Sequence, residues 1–374
     1  MRTNTSISMR ATPSNPQQHY VFLGQHAILE LLEEEVVCGW REIEAKLADP
    51  AQGNPHIDPH HLTTAKQELI RLGQVEVISG ITYGRREVPL LALAGASRSR
   101  RFKDKAARKR TILAYYLGWS STSSGGNVLA EAQERIVNKA MLAAAGVGYR
   151  IHNPRRRCVN TIFGVDVPIG PLDNAADLVV AVPGGVSRLA TVLIEAKSRR
   201  EWTYPQTGDV YQLLDKAAQL QITFPECSFV PVLVCRRPHL TLFHMAKTLG
   251  FLVFYTMTGR EYLQPILPIS EVNADHVQAV NDTLGYRLDR SDDPHWGLTT
   301  QFKKTLPRYA LPVAEQWRHV GSQLASHYAY LRTGATDNED SSSDDVPDLP
   351  GHIAAMQCLR LSTRRLLGVN ALGW

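Results

Sequence analysis

The sequence is short of the features that narrow a protein quickly. Its five cysteines, Cys38, Cys158, Cys227, Cys235 and Cys358, stand far apart with no CxxC pair. That excludes a disulfide framework and a cysteine-based zinc site, and it makes a reducing, cytoplasmic setting the expectation. No run of 18 apolar residues occurs, so no membrane span is expected. The opening MRTNTSISMRATPSNPQQ lacks an apolar core, so no secretory signal is expected either. No repeat of fixed period is visible, which excludes a solenoid or propeller. Charge of one sign does not dominate: the formal net charge is +5, a basic excess that permits nucleic acid without demanding it. What the chain does have is material for a core. It is 374 residues long and 44% hydrophobic, enough for two or three domains.

Residues 1–19 are polar, carry Pro13 and Pro16, and are expected to be disordered. Residues 20–96 read as three helices and a hairpin. Ala27, Ile28, Leu31 and Leu32 share one helical face; Trp40, Ile43 and Leu47 share another, closed by Asp49 and Pro50. Asp58, Pro59 and Gly73 punctuate a third helix lined by Leu62, Ala65, Leu69 and Leu72. A hairpin follows, VEVI and EVPLLAL around Gly80–Gly84. This order predicts a winged helix-turn-helix. Residues 97–124 are expected to be a basic linker, since 98–110 carry eight basic residues and one acid, Asp104. The basic runs Arg155–Arg157 and Lys197–Arg200 favour phosphate contact over a merely solvated linker.

Residues 125–270 read as an α/β core. A helix is predicted from Asn127 to Ala145, then strands at 176–182, 190–197, 229–234 and 251–256, with striped helices between the later ones. A helical extension (271–333) follows. The stretch TGATDNEDSSSDDVPDLPG, with six acids and no base, reads as an acidic disordered linker over 334–350. Residues 351–374 regain an apolar pattern that suits docking on the body or holding a protein partner.

The chemistry concentrates in PLDNAADLVVAVPGGVSRLATVLIEAKSRR. Asp177 is expected to open one strand, and Glu195 and Lys197, two apart, to end the next on a common face. A hairpin between these strands would set Asp177 opposite the other two. Two carboxylates form a hard oxygen site for Mg²⁺ or Mn²⁺. Such an ion activates water for attack on a phosphodiester, and the lysine can hold the water or the phosphate.

This pattern resembles the PD-(D/E)xK, or restriction-endonuclease-like, nuclease superfamily over about residues 125–256. The resemblance implies a mixed sheet flanked by helices, with Asp177, Glu195 and Lys197 at the family's Asp, Glu and Lys positions. The residue before Asp177 is Ala176 rather than proline; Pro171 and Asp173 lie upstream, which makes Asp173 the alternative first carboxylate. Many members add a helix glutamate. Glu134 flanks the core face of the preceding helix, Glu131 points away from it, and Glu134 is preferred. Some members carry QxxxY in the following helix. Gln212 fits its first position; Lys216 stands where the tyrosine would be.

The implied function is a metal-dependent endonuclease acting on double-stranded DNA. The third helix would present Thr63, Thr64, Lys66, Gln67 and Arg71 to the major groove, the wing Arg85 and Arg86, and the basic segment Arg100 and Arg101 to phosphates. A restriction-like enzyme would act as a homodimer. The domain order and the hairpin GITYGRREVPLLALAG also resemble replication-relaxation proteins and mobilisation relaxases, which implies a nicking enzyme of a plasmid or other mobile element. A transposon-end nuclease and a catalytically silent DNA-binding regulator are further readings.

Overall fold

The computed structural model describes residues 16–49, 57–80, 88–120, 127–154, 158–182, 184–258, 261–268, 271–290, 293–336 and 350–374. Two compact units divide the chain. The first is Met1–Ala114 with Thr283–Gly285, and the second is Tyr115–Asp282 with Tyr286–Trp374.

The first unit contains α1 (Pro16–Glu35), β1 (Val37–Gly39), α2 (Trp40–Ala48), α3 (Pro59–Arg71), β2 (Val75–Ile78) and β3 (Leu90–Leu93). The three strands form an antiparallel sheet in the order β1-β3-β2. Ile28, Leu32, Ile43, Leu62, Leu69 and Leu91 are buried, the apolar stripes the spacing predicts. Helix α1 starts earlier than expected, so the polar leader is shorter than 19 residues. Pro16 opens it, a position where a missing N–H costs nothing. Helix α3 ends at Gly73, whose φ of +67 suits glycine. There the Gly73 N–H donates to Ile70 O and the Gln74 N–H to Leu69 O, which satisfies carbonyls the helix leaves open.

The expected basic linker is largely a helix, α4 (Arg100–Trp119). Phe102, Ala106 and Lys109 recur on one side of it and are buried. Lys109 Nζ donates to Glu42 at 2.6 Å and to Glu35 at 2.9 Å; Lys46 donates to the same two carboxylates at 2.8 and 2.7 Å. Two carboxylates and two ammoniums thus hold α1, α2 and α4 together. Burial alone would raise the Glu35 carboxyl, but the hydrogen bonds from Lys46 and Lys109 outweigh it and bring it down to about 2.

Beyond α4 come α5 (Val128–Ala144), β4 (Tyr149–Ile151), the short β5 (Thr161–Ile162) and β6 (Val165–Asp166), β7 (Asn174–Val180), β8 (Arg188–Lys197), α6 (Gly208–Thr223), β9 (Phe229–Cys235), α7 (Leu240–Leu249) and β10 (Leu252–Tyr255). Five strands make a mixed sheet in the order β10-β9-β8-β7-β4. β8, β9 and β10 are parallel neighbours; β7 and β4 run antiparallel to theirs. Side chains alternate along β8. Val192, Ile194 and Ala196 join a core with Ile136, Val137 and Ala140 of α5, whereas Leu193 joins the core built on α6 and α7. Parity puts Glu195 and Lys197 on the α6 side. The first predicted strand is displaced: β7 starts at Asn174, two residues before the expected 176. Ala175 and Ala176 are fully buried, so these small residues belong to the sheet.

The chain ends in α8 (Ala274–Leu284), α9 (Trp296–Thr300), α10 (Leu306–Val320), α11 (Ala325–Thr336) and α12 (Pro350–Leu367). Met356, Leu359 and Trp374 enter the same core as α6, so the C-terminal segment docks on its own body. Among the described residues, no helix is long and apolar enough to cross a membrane.

Candidate active site

Glu195 and Lys197 end β8, as the pattern predicts. The residue that faces them is not Asp177. The β7–β8 register pairs Asn174 with Ile194 and Asp177 with Thr191. The Asp173 N–H donates to Ile194 O at 3.1 Å, and Asp173 Oδ2 accepts from the Ala196 N–H at 2.6 Å. Asp173 therefore stands opposite Glu195, and Asp177 lies four residues away, about 13 Å at the usual rise per residue. Asp177 is engaged elsewhere: the Thr191 hydroxyl donates to its Oδ1 at 2.9 Å, and His152 Nε2 lies 3.0 Å from the same oxygen. The expectation that Asp177 faces Glu195 is corrected by the early start of β7. An antiparallel pair brings together the end of β8 and the start of β7, and Asp177 sits in the middle.

Helix α6 grips the strand end with two side chains one turn apart. Lys197 Nζ donates to Gln212 Oε1 at 2.5 Å. Lys216 Nζ donates to Glu195 Oε1 at 2.5 Å and to the Pro171 carbonyl at 2.5 Å. Lys197 Nζ lies 3.3 Å from the other oxygen, Glu195 Oε2. Glu195 and Lys216 are each 1% exposed, whereas the Lys197 side chain keeps 18%. Arg199 pairs with Asp209 in the first turn of α6.

The charges here act on one another. Burial and then the neighbouring Glu195 carboxylate push Asp173 up to about 8; Lys197 and the Ala196 N–H oppose this, and Glu134 on α5 adds a smaller push upward. Glu134 therefore lies within electrostatic reach of the pair. Burial alone would lower the Lys197 ammonium, but Glu195, Asp209 and Asp173 outweigh it and hold it above its ordinary value. Lys197 is a fixed cation in this setting. Glu131 is occupied with Arg135 at 3.4 Å, and Arg135 also holds Glu271 at 2.8 Å.

So Glu195, Lys197, Gln212 and Asp173 come together, Glu134 is close, and Asp177 and Glu131 stand apart. Sequence reasoning gave Lys216 no role, naming it only as the residue in place of the tyrosine. Its place four residues after Gln212 was the available signal, because i and i+4 share a helix face.

On α3, Thr64, Gln67 and Arg71 are exposed at helical spacing. Thr63 and Lys66 are half-buried, and Lys66 Nζ lies 4.3 Å over the Trp40 ring. Arg100 and Arg101 are exposed on α4. Arg85, Arg86 and the run Arg155–Arg157 lie outside the described residues. The run Lys197–Arg200 is no open basic surface, since Lys197 and Arg199 are paired and Arg200 is 4% exposed. Comparison with protein-family models, curated proteins and solved structures found no match.

Proposed function

We propose that this chain is a metal-dependent DNA endonuclease whose second unit has a restriction-endonuclease-like sheet and whose first unit is a winged helix-turn-helix. One observation carries the reading: Asp173, Glu195 and Lys197 converge where two paired strands meet, with Gln212 and Glu134 beside them. Such a crowd of charge at the end of a buried strand is costly without a use.

The donor set fits a divalent cation. Asp173 and Glu195 are hard oxygen donors facing each other; burial and then the Glu195 carboxylate push Asp173 up, and a cation would favour its charged form. Asp173 and Glu195 would hold Mg²⁺ or Mn²⁺, with Glu134 within electrostatic reach of the pair. Bound there, the ion would acidify water and offset charge growing on phosphorus. Lys197, held protonated, would bind a non-bridging phosphate oxygen and orient the attacking water. Gln212 fixes the direction of that ammonium through its 2.5 Å hydrogen bond.

The first unit supports targeting. Its element order α1-β1-α2-α3-β2-β3 and sheet order β1-β3-β2 support the winged-helix reading. Thr64, Gln67 and Arg71 would reach base edges and phosphates from α3, while Arg100 and Arg101 would contact backbone from α4.

The test is cleavage of supercoiled plasmid in Mg²⁺ or Mn²⁺. Wild type should convert it to nicked or linear DNA, and Lys197→Ala and Asp173→Asn should each lose the activity. Nicked product alone favours a relaxase-like enzyme of a mobile element; linear product favours a restriction-like homodimer. DNA binding that persists in EDTA, with no cleavage in either metal, would replace the nuclease with a DNA-binding regulator.

A further inference from the structure

Lys216 has no counterpart in the catalytic set named above, and it is the most deeply buried cation at the site. Its Nζ sits between two oxygens, Glu195 Oε1 and the Pro171 carbonyl, at 2.5 Å from each. One oxygen belongs to the carboxylate that ends β8. The other belongs to the loop that delivers Asp173 two residues later. A charged centre coordinated by a carboxylate oxygen and a backbone carbonyl is what a bound metal ion would look like there. The ammonium also divides the work of Glu195. Oε1 is taken up by Lys216, while Oε2 faces the largely buried Lys197 at 3.3 Å.

We propose that Lys216 is a positioning residue that stands in for a second metal ion, so that the site takes one divalent cation rather than two. This rests on the nuclease reading. Two-ion phosphodiesterases hold their cations about 3.5–4 Å apart on shared carboxylates. Here the inner oxygen of Glu195 already accepts from the Lys216 ammonium, which ties Glu195 to the Asp173 loop and would repel a second ion. Asp173 and Glu195 would hold the single ion. Gln212 and Lys216, one turn apart on α6, then have separate tasks: Gln212 aims Lys197, and Lys216 aims Glu195.

The test counts Mn²⁺ ions on the full chain by calorimetry and by loss of the free-ion EPR signal, without DNA. Wild type should bind one Mn²⁺ per chain. Lys216→Ala empties the ammonium position while leaving both oxygens, and it should bind two. Lys216→Met fills the space without charge and should return to one. In cleavage assays, the slope of log rate against log Mg²⁺ should be near one for wild type and near two for Lys216→Ala. A merely structural lysine would lower the folded fraction without changing the count. Should Lys216→Ala fail to fold, Lys216→Gln keeps a donor to the same oxygens. It should bind its single Mn²⁺ at least tenfold more tightly, because a nearby positive charge is gone. Two ions on the wild type, or one ion on Lys216→Ala, or unchanged affinity in Lys216→Gln, would overturn the proposal and leave the nuclease reading standing. No Mn²⁺ on the wild type would sink both.

Discussion

Replacing Asp173 with asparagine should make the metal-free protein more stable and, on the nuclease reading, abolish cleavage. The folded Asp173 carboxyl titrates near 8, against an ordinary value of 3.8. Between those two values the folded state keeps a proton that the unfolded state has released. Its raised pKa therefore lowers stability progressively as pH climbs from about 4 to about 8. At pH 7 the upper limit is about 4 kcal/mol, from 1.36 kcal/mol per pH unit across the gap. Shared charge with Glu195 and partial hydration reduce this to about 1–3 kcal/mol. Asparagine carries no charge to desolvate and can still accept the Ala196 N–H through its amide oxygen. At roughly 2–4 °C per kcal/mol for a unit of this size, Tm should rise by about 3–10 °C at pH 7.5 in EDTA. The gap should shrink towards pH 4.5. Added Mg²⁺ should raise the Tm of the wild type but not of the variant, by mass action on the folded state. Differential scanning fluorimetry across pH, with and without metal, reads all of this. A variant that melts at or below wild type at pH 7.5, or a gap that does not grow with pH, refutes the electrostatic argument.

Asp177→Asn should leave plasmid cleavage within about twofold of wild type and cost about 1 kcal/mol of stability through the weakened Thr191 and His152 contacts; loss of cleavage would return Asp177 to the site. Gln212→Ala should lower kcat by roughly tenfold with little change in the KM for DNA, since the aim of Lys197 is lost while its charge stays. Lys109→Met leaves the fully buried Glu42 with one ammonium fewer and should destabilise the first unit by about 3–5 kcal/mol in urea melts. Because Glu35 is held near 2, the stability it contributes is complete above about 4.5 and fades as pH falls towards 2. Arg101→Ala should reduce the slope of log binding constant against log salt by about one phosphate contact, uniformly across DNA sequences.

The helices of both units were legible because their apolar residues recur at 3–4 spacing and their ends carry Pro59, Gly73 and Asn127. The strands were legible as apolar runs, but not to the residue. That small error decided the site. Asn174, Ala175 and Ala176 carry no strand signature of their own; their burial comes from neighbours on α5 and α6. A charged residue next to LVVAV then looks like a strand's first residue, whereas Asp177 is mid-strand and satisfied by Thr191 and His152. Asp173 was visible as an alternative because Pro171 lies just before it, yet the choice needed the register. Lys216 stands where the resemblance implies a tyrosine, and its contact with Glu195 appears only once α6 is laid on β8.

Helix α6 is braced from behind as well as gripping the site in front. Asp215, 1% exposed, receives Arg332 of α11 at 2.8 Å, and the Tyr211 hydroxyl reaches Met356 of α12. These residues alternate along one helix with Gln212 and Lys216. Helices α11 and α12 thus back the helix that carries Gln212 and Lys216. Trimming them would not merely shorten a tail. It would loosen the helix that holds both Lys197 and Glu195, so on the nuclease reading a change far along the chain from the carboxylates would be read out as lost cleavage.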